Sequence, residues 1–202
     1  MKVAAIVLAA GRSSRMGPSN KLLEPIEGKP MVAHTARVAL DSGAAPVIVV
    51  TGFEAPRVAE ALSDLKVTIV HNAAFDDGLS SSLKAGLATL PPEREGALIL
   101  LGDMPKVEAS VLAALMAEFT GGDAICVPMH QGRRGNPVLW GLSYFAEMMQ
   151  LTGDVGAKQL LARHADRVTE VPVGSDGIFA DVDTPADLAR FIAAGSRAPR
   201  SR

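Results

Sequence analysis

The feature that most constrains the fold is a series of short β-branched runs in which the apolar residues are consecutive. Ile48–Val50 and Leu98–Leu101 are examples. Such strands are buried on both faces, which is typical of parallel sheets that crossover helices cover. We predict strands at Val3–Ala9, Pro46–Thr51, Val67–His71, Ala97–Leu101, Ala124–Met129, Val168–Val173 and Ile178–Val182.

Longer stretches with helical periodicity separate these runs. They predict helices at roughly Pro30–Leu40, Pro56–Asp64, Ser80–Leu90, Val107–Phe119, Leu142–Leu151, Gly156–Arg163 and Pro185–Ala194. The alternation indicates an α/β fold with a mainly parallel sheet. Since 202 residues suit one domain and no long linker divides them, we assign residues 1–195 to one domain and 196–202 to a disordered basic tail.

Charge and composition exclude several classes of partner. A net charge of -2 gives no general basic field, so nucleic acid is not predicted as a partner. The N-terminal apolar run is too short to span a membrane and meets Gly11 and Arg12 instead of a cleavage site, so we expect a soluble, cytoplasmic protein without membrane contact. Cys126, the single cysteine, is expected to be a buried core thiol. The four histidines lack the spacing of a zinc site.

The segment after the first strand combines two glycines with positive charges. Residues 8–17 read Leu-Ala-Ala-Gly-Arg-Ser-Ser-Arg-Met-Gly, and Lys21 follows. Glycines let the backbone approach an anion, and Arg15 and Lys21 add full charges, so the segment suits a triphosphate. An ordinary strand-to-helix turn with surface arginines has the same composition. The segment is not a Walker A loop, because proline follows Gly17, and it lacks the Gly-x-Gly-x-x-Gly fingerprint of dinucleotide sites.

Carboxylates follow two of the predicted strands. Asp103 stands at the tip of the fourth strand, and Asp181 and Asp183 stand at the end of the last. Ligands of open parallel sheets bind at the carboxyl ends of strands, and Mg²⁺ takes one or two protein carboxylates, so these aspartates could share one ion. The alternatives are structural: Asp103 could cap the next helix, and Asp183 or Thr184 could cap the last one.

Two further loops carry polar groups. Residues 78–82 read Gly-Leu-Ser-Ser-Ser and open a predicted helix. Their hydroxyls could simply cap that helix, and they do not form the Gly-x-Ser-x-Gly of a serine hydrolase. Residues 132–138 read Gly-Arg-Arg-Gly-Asn-Pro-Val, where Arg134 could bind an anionic acceptor and Asn136 could orient it. Solvated turn arginines are the alternative there.

Residues 8–17, with Asn-Lys-Leu-Leu at 20–23, resemble the signature loop of the MobA-like nucleotidyltransferases, which make dinucleotide forms of the molybdenum cofactor. Gly-Asp-Met-Pro at 102–105, Arg-Gly-Asn-Pro-Val at 134–138, residues 153–157 and residues 181–188 are similar to later motifs of that family, in the expected order. The resemblance extends from Leu8 to Asp187. It implies a single-domain, three-layer α/β/α Rossmann-like nucleotidyltransferase fold.

The resemblance also implies a role for each matching residue. Lys21, Arg15 and Asp103 would be catalytic, and Asp103 and Asp183 would hold Mg²⁺, with Asp181 as a rival for the second position. The nucleoside triphosphate would contact Leu8, Ala9, Ala10, Gly11, Gly17, Lys21, His71, Asn72, Gly78, Ser80 and Ser81. The acceptor would contact Arg134, Gly135, Asn136, Pro137 and Asp154.

The choice of substrates rests on finer similarities. Ala-Ala-Gly at 9–11 and Gly-Asp-Met-Pro at 102–105 are more similar to the cytidylyltransferase branch than to the guanylyltransferase branch. This implies CTP before GTP, and the phosphorylated pterin cofactor as acceptor, with an apo-molybdoenzyme or its chaperone as a further partner. A guanylyltransferase or a sugar- or polyol-phosphate nucleotidyltransferase of the same fold stays open, as does a non-catalytic carrier of the cofactor.

Overall fold

The computed structural model describes residues 1–12, 19–154, 156–182 and 184–195. Within them the strands are β1 (Val3–Ala9), β2 (Pro25–Ile26), β3 (Lys29–Pro30), β4 (Val47–Thr51), β5 (Thr68–His71), β6 (Gly96–Leu101), β7 (Ile125–His130), β8 (Arg133–Arg134), β9 (Val138–Gly141) and β10 (Val168–Pro172). The helices are α1 (Met31–Asp41), α2 (Ala55–Glu60), α3 (Leu79–Leu87), α4 (Ala109–Glu118), α5 (Phe145–Met148), α6 (Lys158–Arg163) and α7 (Pro185–Gly195).

One large sheet organises the part of the chain that the structure describes. Its strand order is β10-β7-β9-β6-β1-β4-β5, with β8 paired to β7. The neighbours of β1 are β4 and β6, and both pairs are parallel. β9 runs antiparallel to β6 and β7. The predicted α/β class with a mainly parallel sheet is confirmed.

Helices cover both faces of this sheet. Along β1, Val7 and Ala9 belong to a core layer that helices α1, α2 and α4 complete. Ile6 and Leu8 point to the opposite layer, where α3, α5 and α6 pack. The three-layer α/β/α prediction is therefore confirmed, and it explains why β1 is apolar at every position. Cys126 is buried in the first layer, where desolvation raises the pKa of its thiol to about 11.

The predicted strand Ile178–Val182 is wrong. Asp176–Phe179 forms one turn of 3₁₀ helix, and the side chain of Ser175 accepts a hydrogen bond from the Gly177 amide at its start. A Cβ on Gly177 would lie 2.2 Å from the Lys106 carbonyl oxygen, so the chain turns against another backbone instead of joining the sheet. The apolar character of Ile178 reflects burial in the core, not strand pairing.

Other elements also differ from prediction, among them β9 and the helix predicted before residue 151. Strand β9 is absent from the predicted strands, because four residues that follow an Asn-Pro pair give little periodicity. The helix predicted at Leu142–Leu151 is divided into the 3₁₀ turn Leu142–Tyr144 and the short α5. Among the described helices, none combines the length and apolar character that crossing a bilayer requires. The predicted basic tail, 196–202, lies outside the described residues.

Candidate active site

The phosphate-loop segment and the first acidic motif lie side by side. β1 and β6 pair in parallel with Leu8 opposite Leu101, and the Gly102 amide donates to the Leu8 carbonyl at 2.9 Å. A Cβ on Gly102 would lie 3.1 Å from that carbonyl oxygen. Gly102 therefore keeps the two strand ends close. Gly11 and Asp103 emerge at the same edge of the sheet.

Lys21 and Asp103 form an ion pair at this edge. The Nζ of Lys21 lies 2.6 Å from Oδ2 of Asp103, and the side chains are 12% and 17% exposed. The contact joins the segment after the glycine loop to the tip of β6. Two of the three residues predicted to be catalytic thus meet in a partly buried position. Arg15, the third, lies outside the described residues.

The backbone at Gly102 and Asp103 accepts hydrogen bonds from two other segments. Thr35, in α1, donates its hydroxyl to the Gly102 carbonyl at 3.3 Å. The Val182 amide donates to the Asp103 carbonyl at 3.0 Å, so the second acidic segment reaches the first although its predicted strand is absent. Asp103 does not cap α4, whose N-cap residue is Glu108. The structural alternative for Asp103, that it caps the next helix, is therefore excluded.

One oxygen of the Asp103 carboxylate lacks a hydrogen-bond partner among the described residues. This atom, Oδ1, is buried. A buried carboxylate oxygen without a donor is costly, and a divalent ion would satisfy it. The described residues contain no cluster of three or more histidine, cysteine, aspartate or glutamate side chains that could hold a metal. Mg²⁺ needs only one or two carboxylates when phosphate oxygens complete its shell, so the donor set fits.

The second carboxylate of the predicted metal pair is only partly described. Asp183 lies outside the described residues. Its rival Asp181 is exposed and lines a cavity of about 390 Å³ together with Lys106 and Arg190. Thr184 caps α7 by accepting from the Asp187 amide at 3.1 Å, which agrees with the structural reading of this segment.

Lys21 owes its position to the residue before it. The Asn20 side chain accepts a hydrogen bond from the Leu22 amide and so caps the 3₁₀ turn Lys21–Leu23. Its amide nitrogen reaches the Phe53 carbonyl at 3.5 Å. Asn20 is buried, which fixes the stem from which the lysine extends. The asparagine that precedes Lys21 is the sequence signal for this role, which the family motif alone does not reveal.

The described part of the glycine loop is open at Gly11. A Cβ built on Gly11 meets none of the described atoms within 4 Å. Ala9 and Ala10 are buried, so only their backbone can face a nucleotide, whereas Leu8 lines the large cavity described below. Gly17 lies outside the described residues.

The predicted nucleotide segment is organised by Asn72. Its side-chain amide donates to the hydroxyls of Ser81 at 2.8 Å and Ser82 at 3.1 Å, and its oxygen accepts from the Ala74 amide. Asn72 is therefore a positioning group for the start of α3. Ser80 is buried, and the N-cap of α3 is Gly78, with no side-chain capping bond. His71 is exposed on the edge strand β5.

The nucleotide and acceptor segments touch at Gly78. Its φ is +96°, and a Cβ there would lie 2.4 Å from the carbonyl carbon of Gly153 and 2.7 Å from the Asp154 nitrogen. The Ser80 amide donates to the Gly153 carbonyl at 3.1 Å. Only glycine permits this approach of two backbones. The structure thus brings together two segments that the sequence keeps far apart.

A cavity of about 530 Å³ opens beside this contact. Aliphatic side chains of β1, β6, β7 and α3, together with the indole of Trp140, form most of its wall. Arg134, Asn136, Asp154 and Lys158 supply its polar groups. It therefore unites four residues predicted for the acceptor (Arg134, Gly135, Asn136 and Asp154) with Leu8 of the predicted nucleotide site. Pro137 is buried and does not line it.

The acceptor loop is fixed by backbone contacts. The Gly135 amide donates to the Pro128 carbonyl and the Asn136 amide to the Ile178 carbonyl, each at 3.0 Å. A Cβ on Gly135 would lie 2.6 Å from that Ile178 oxygen. Arg134 forms an ion pair with Glu170, its Nε 2.7 Å from Oε1, so its charge is already compensated in this structure.

Comparison with known proteins bears on this arrangement. Residues 5–168 match the model of the MobA-like NTP transferase domain. The chain belongs to the MobA-like NTP transferase family. Over 193 residues, 95% of both chains, it is 28% identical to the molybdenum cofactor cytidylyltransferase of Escherichia coli (strain K12). As a member of this family, the protein is a nucleotidyltransferase.

Solved structures agree with the family assignment. A nucleotidyl transferase from Methanothermobacter thermautotroptrophicus is similar with a TM-score of 0.85 at 26% identity, over 97% of this chain and 98% of that one. Rv0371c of Mycobacterium tuberculosis H37Rv, solved in complex with manganese, has a TM-score of 0.82 at 28% identity, over 96% and 100% of the respective chains. The Rossmann-like nucleotidyltransferase fold predicted for this family member is confirmed.

Proposed function

We propose that this family member transfers CMP from CTP to the molybdenum cofactor, a phosphorylated pterin, and releases pyrophosphate. The proposal is supported by the site at the end of β6, where Lys21, Asp103 and Gly11 lie at the same edge of the sheet. Leu101, two residues before Asp103, lines the cavity of about 530 Å³ that we assign to the acceptor. The relative of matching length, which is a molybdenum cofactor cytidylyltransferase, supports the choice of nucleotide and acceptor.

The cavity supports a pterin more than a sugar. Its wall is mainly aliphatic and aromatic, and its polar groups are confined to four side chains. Each sugar hydroxyl buried there without a partner would cost about 1–3 kcal/mol. A pterin ring also has polar groups at its edge, which the four polar side chains could meet, while its flat face can stack on Trp140 and pack on the aliphatic side chains. Its phosphate would lie toward the polar rim.

The reaction needs no protein nucleophile. An oxygen of the acceptor phosphate attacks the α-phosphorus in line, a new phosphorus–oxygen bond forms, and the bond to the leaving pyrophosphate breaks. Lys21 would donate to phosphate oxygens and stabilise the charge that develops on them. A divalent ion held by Asp103, with Asp183 or Asp181, would neutralise further phosphate charge. The backbone at Gly11 and Gly17 would orient the triphosphate, and Arg15 would neutralise phosphate charge together with Lys21.

The decisive assay measures pyrophosphate release with Mg²⁺, purified molybdenum cofactor and each nucleotide in turn. We expect turnover with CTP to exceed turnover with GTP. A clear preference for GTP would reject the cytidylyltransferase assignment, and turnover with sugar 1-phosphates in place of the cofactor would reject the pterin. Cofactor binding without any pyrophosphate release would favour a carrier. Delivery of the product to an apo-molybdoenzyme or its chaperone is part of the same proposal.

A further inference from the structure

Arg12 is held by four contacts at the entrance of the glycine loop. Its Nε and Nη2 each lie 2.6 Å from an oxygen of Asp76, which makes a bidentate pair. Its guanidinium carbon lies 5.5 Å from the ring centroid of Phe53 and 5.1 Å from that of Phe75. We name Arg12, Asp76, Phe53 and Phe75 the arginine clasp. Bidentate pairing and ring contact fix the orientation of the guanidinium more strictly than a single ion pair does.

Stability alone does not account for this geometry. The two charged side chains are 54% and 58% exposed, and an exposed ion pair contributes about 0–1 kcal/mol. The hydrogen bonds from Arg12 lower the pKa of the Asp76 carboxyl, so the pair stays charged at neutral pH. What the clasp does supply is a defined position for residue 12, which immediately precedes residues 13–18.

The described residues on either side of positions 13–18 contact the same block of structure. At the near end, Arg12 binds Asp76 and the Ala10 carbonyl accepts from the Phe53 amide at 3.0 Å. At the far end, the Asn20 amide reaches the Phe53 carbonyl. Gly52 lets these parts meet, because a Cβ there would lie 2.6 Å from Phe75 and 2.8 Å from the Ala10 oxygen.

That block leads directly into the predicted nucleotide segment. Asp76 lies in the 3₁₀ turn Phe75–Asp77, and Gly78, the N-cap of α3, follows it. Gly78 is also the residue that packs against the acceptor side. A shift at the clasp would therefore change the spacing between the glycine loop and the groups that frame the nucleotide.

We propose that Arg12 is a positioning residue. Bound to Asp76 and in contact with the rings of Phe53 and Phe75, it sets the distance between the glycine loop and the nucleotide-framing segment, and so determines nucleotide affinity. The inference rests on the proposed nucleotide site. In the opposite case, Arg12 leaves Asp76 to bind the triphosphate itself. The two cases predict opposite results for Asp76→Asn, which frees Arg12. If Arg12 binds the phosphates directly, CTP binding should become tighter. If Arg12 positions the loop through the clasp, CTP binding should become weaker.

The test is a double-mutant cycle of Arg12→Gln, Asp76→Asn and the double variant, with wild type. We expect each single variant to raise the CTP dissociation constant by about tenfold, since small misplacement of a binding loop carries costs of that order. The double variant should be no weaker than the singles, because the second change removes nothing further. The KM for the acceptor and the turnover at saturating CTP should stay within about twofold of wild type.

Arg57→Gln serves as the matched control. It breaks another exposed arginine–carboxylate pair, with Glu54 in the turn before α2, and lies outside the clasp. We expect it to leave CTP binding unchanged, and we expect circular dichroism to show every variant folded. Tighter CTP binding by Asp76→Asn, or additive losses in the double variant, would overturn the proposal. Because calorimetry with CTP needs no acceptor, the cycle remains decisive even if the proposed transfer to the pterin fails.

Discussion

Gly78→Ala tests whether the contact between two backbones holds the nucleotide and acceptor segments together. At φ +96° and ψ -179° the backbone lies in a region that is essentially limited to glycine, and an alanine there would cost about 1–3 kcal/mol. The new Cβ would also lie 2.4 Å from the Gly153 carbonyl carbon, against an ordinary separation of about 3.5–4.0 Å. Relieving that overlap moves backbone, and overpacking costs about 1–3 kcal/mol more.

The two contributions add to roughly 4 kcal/mol of lost stability, or a fall in Tm of about 10 °C for a chain of this size. Urea unfolding followed by circular dichroism measures the change. Because the Gly153 carbonyl also accepts from the Ser80 amide, the KM values for nucleotide and acceptor should rise together.

Two glycines provide matched controls. Gly43 has φ +85° and open space around its Cβ position, so Gly43→Ala carries only the torsional cost, about 1–2 kcal/mol. Gly174 has open space and no left-handed φ, so Gly174→Ala should be neutral or stabilise by up to about 1 kcal/mol. If Gly78→Ala were no less stable than Gly43→Ala, the steric part of this reasoning would be refuted.

Three further tests address Asp103, the thiol of Cys126 and the hydrophobic core. Asp103→Asn should lower turnover in the pyrophosphate assay by about 10²–10³-fold without unfolding the protein. The control Asp64→Asn, at an exposed position, should leave turnover unchanged. Near-normal turnover of Asp103→Asn would remove Asp103 from the mechanism. Burial raises the pKa of the Cys126 thiol to about 11. Between the ordinary thiol pKa and this raised pKa, the folded state keeps a proton that the unfolded state has released. The free energy of unfolding should therefore fall as the pH rises through this range. A thiol reagent at pH 8 should accordingly label the protein in urea and not the native state; equal labelling rates would contradict the burial. Leu112→Ala, at a fully buried position, should cost about 2–5 kcal/mol in urea unfolding, and a loss below about 1 kcal/mol would place Leu112 outside the core.

Local patterns were enough for the regular framework. Among the six strands confirmed by the structure, the central strands β1, β4 and β6 carry consecutive apolar residues, because they are buried on both faces. The edge strands β5 and β10 are largely exposed and carry a weaker form of this signal. The segment around Ile178 failed for the converse reason: its apolar residues are buried by a 3₁₀ turn that packs on the Lys106 carbonyl, and no pattern distinguishes this from a strand. Strand β9 was not predicted, because it is recognised only by its pairing with β6 and β7, which are distant in sequence.

The sequence by itself determined the α/β class, the residues that could meet a phosphate and the family motifs, since these depend on neighbours along the chain. Only the tertiary structure decided which residues meet. It paired Lys21 with Asp103, neutralised Arg134 with Glu170 and fastened Arg12 to Asp76. Each of these pairs joins residues more than thirty positions apart, and such contacts follow from how strands and loops pack in space, which leaves no local trace in either partner.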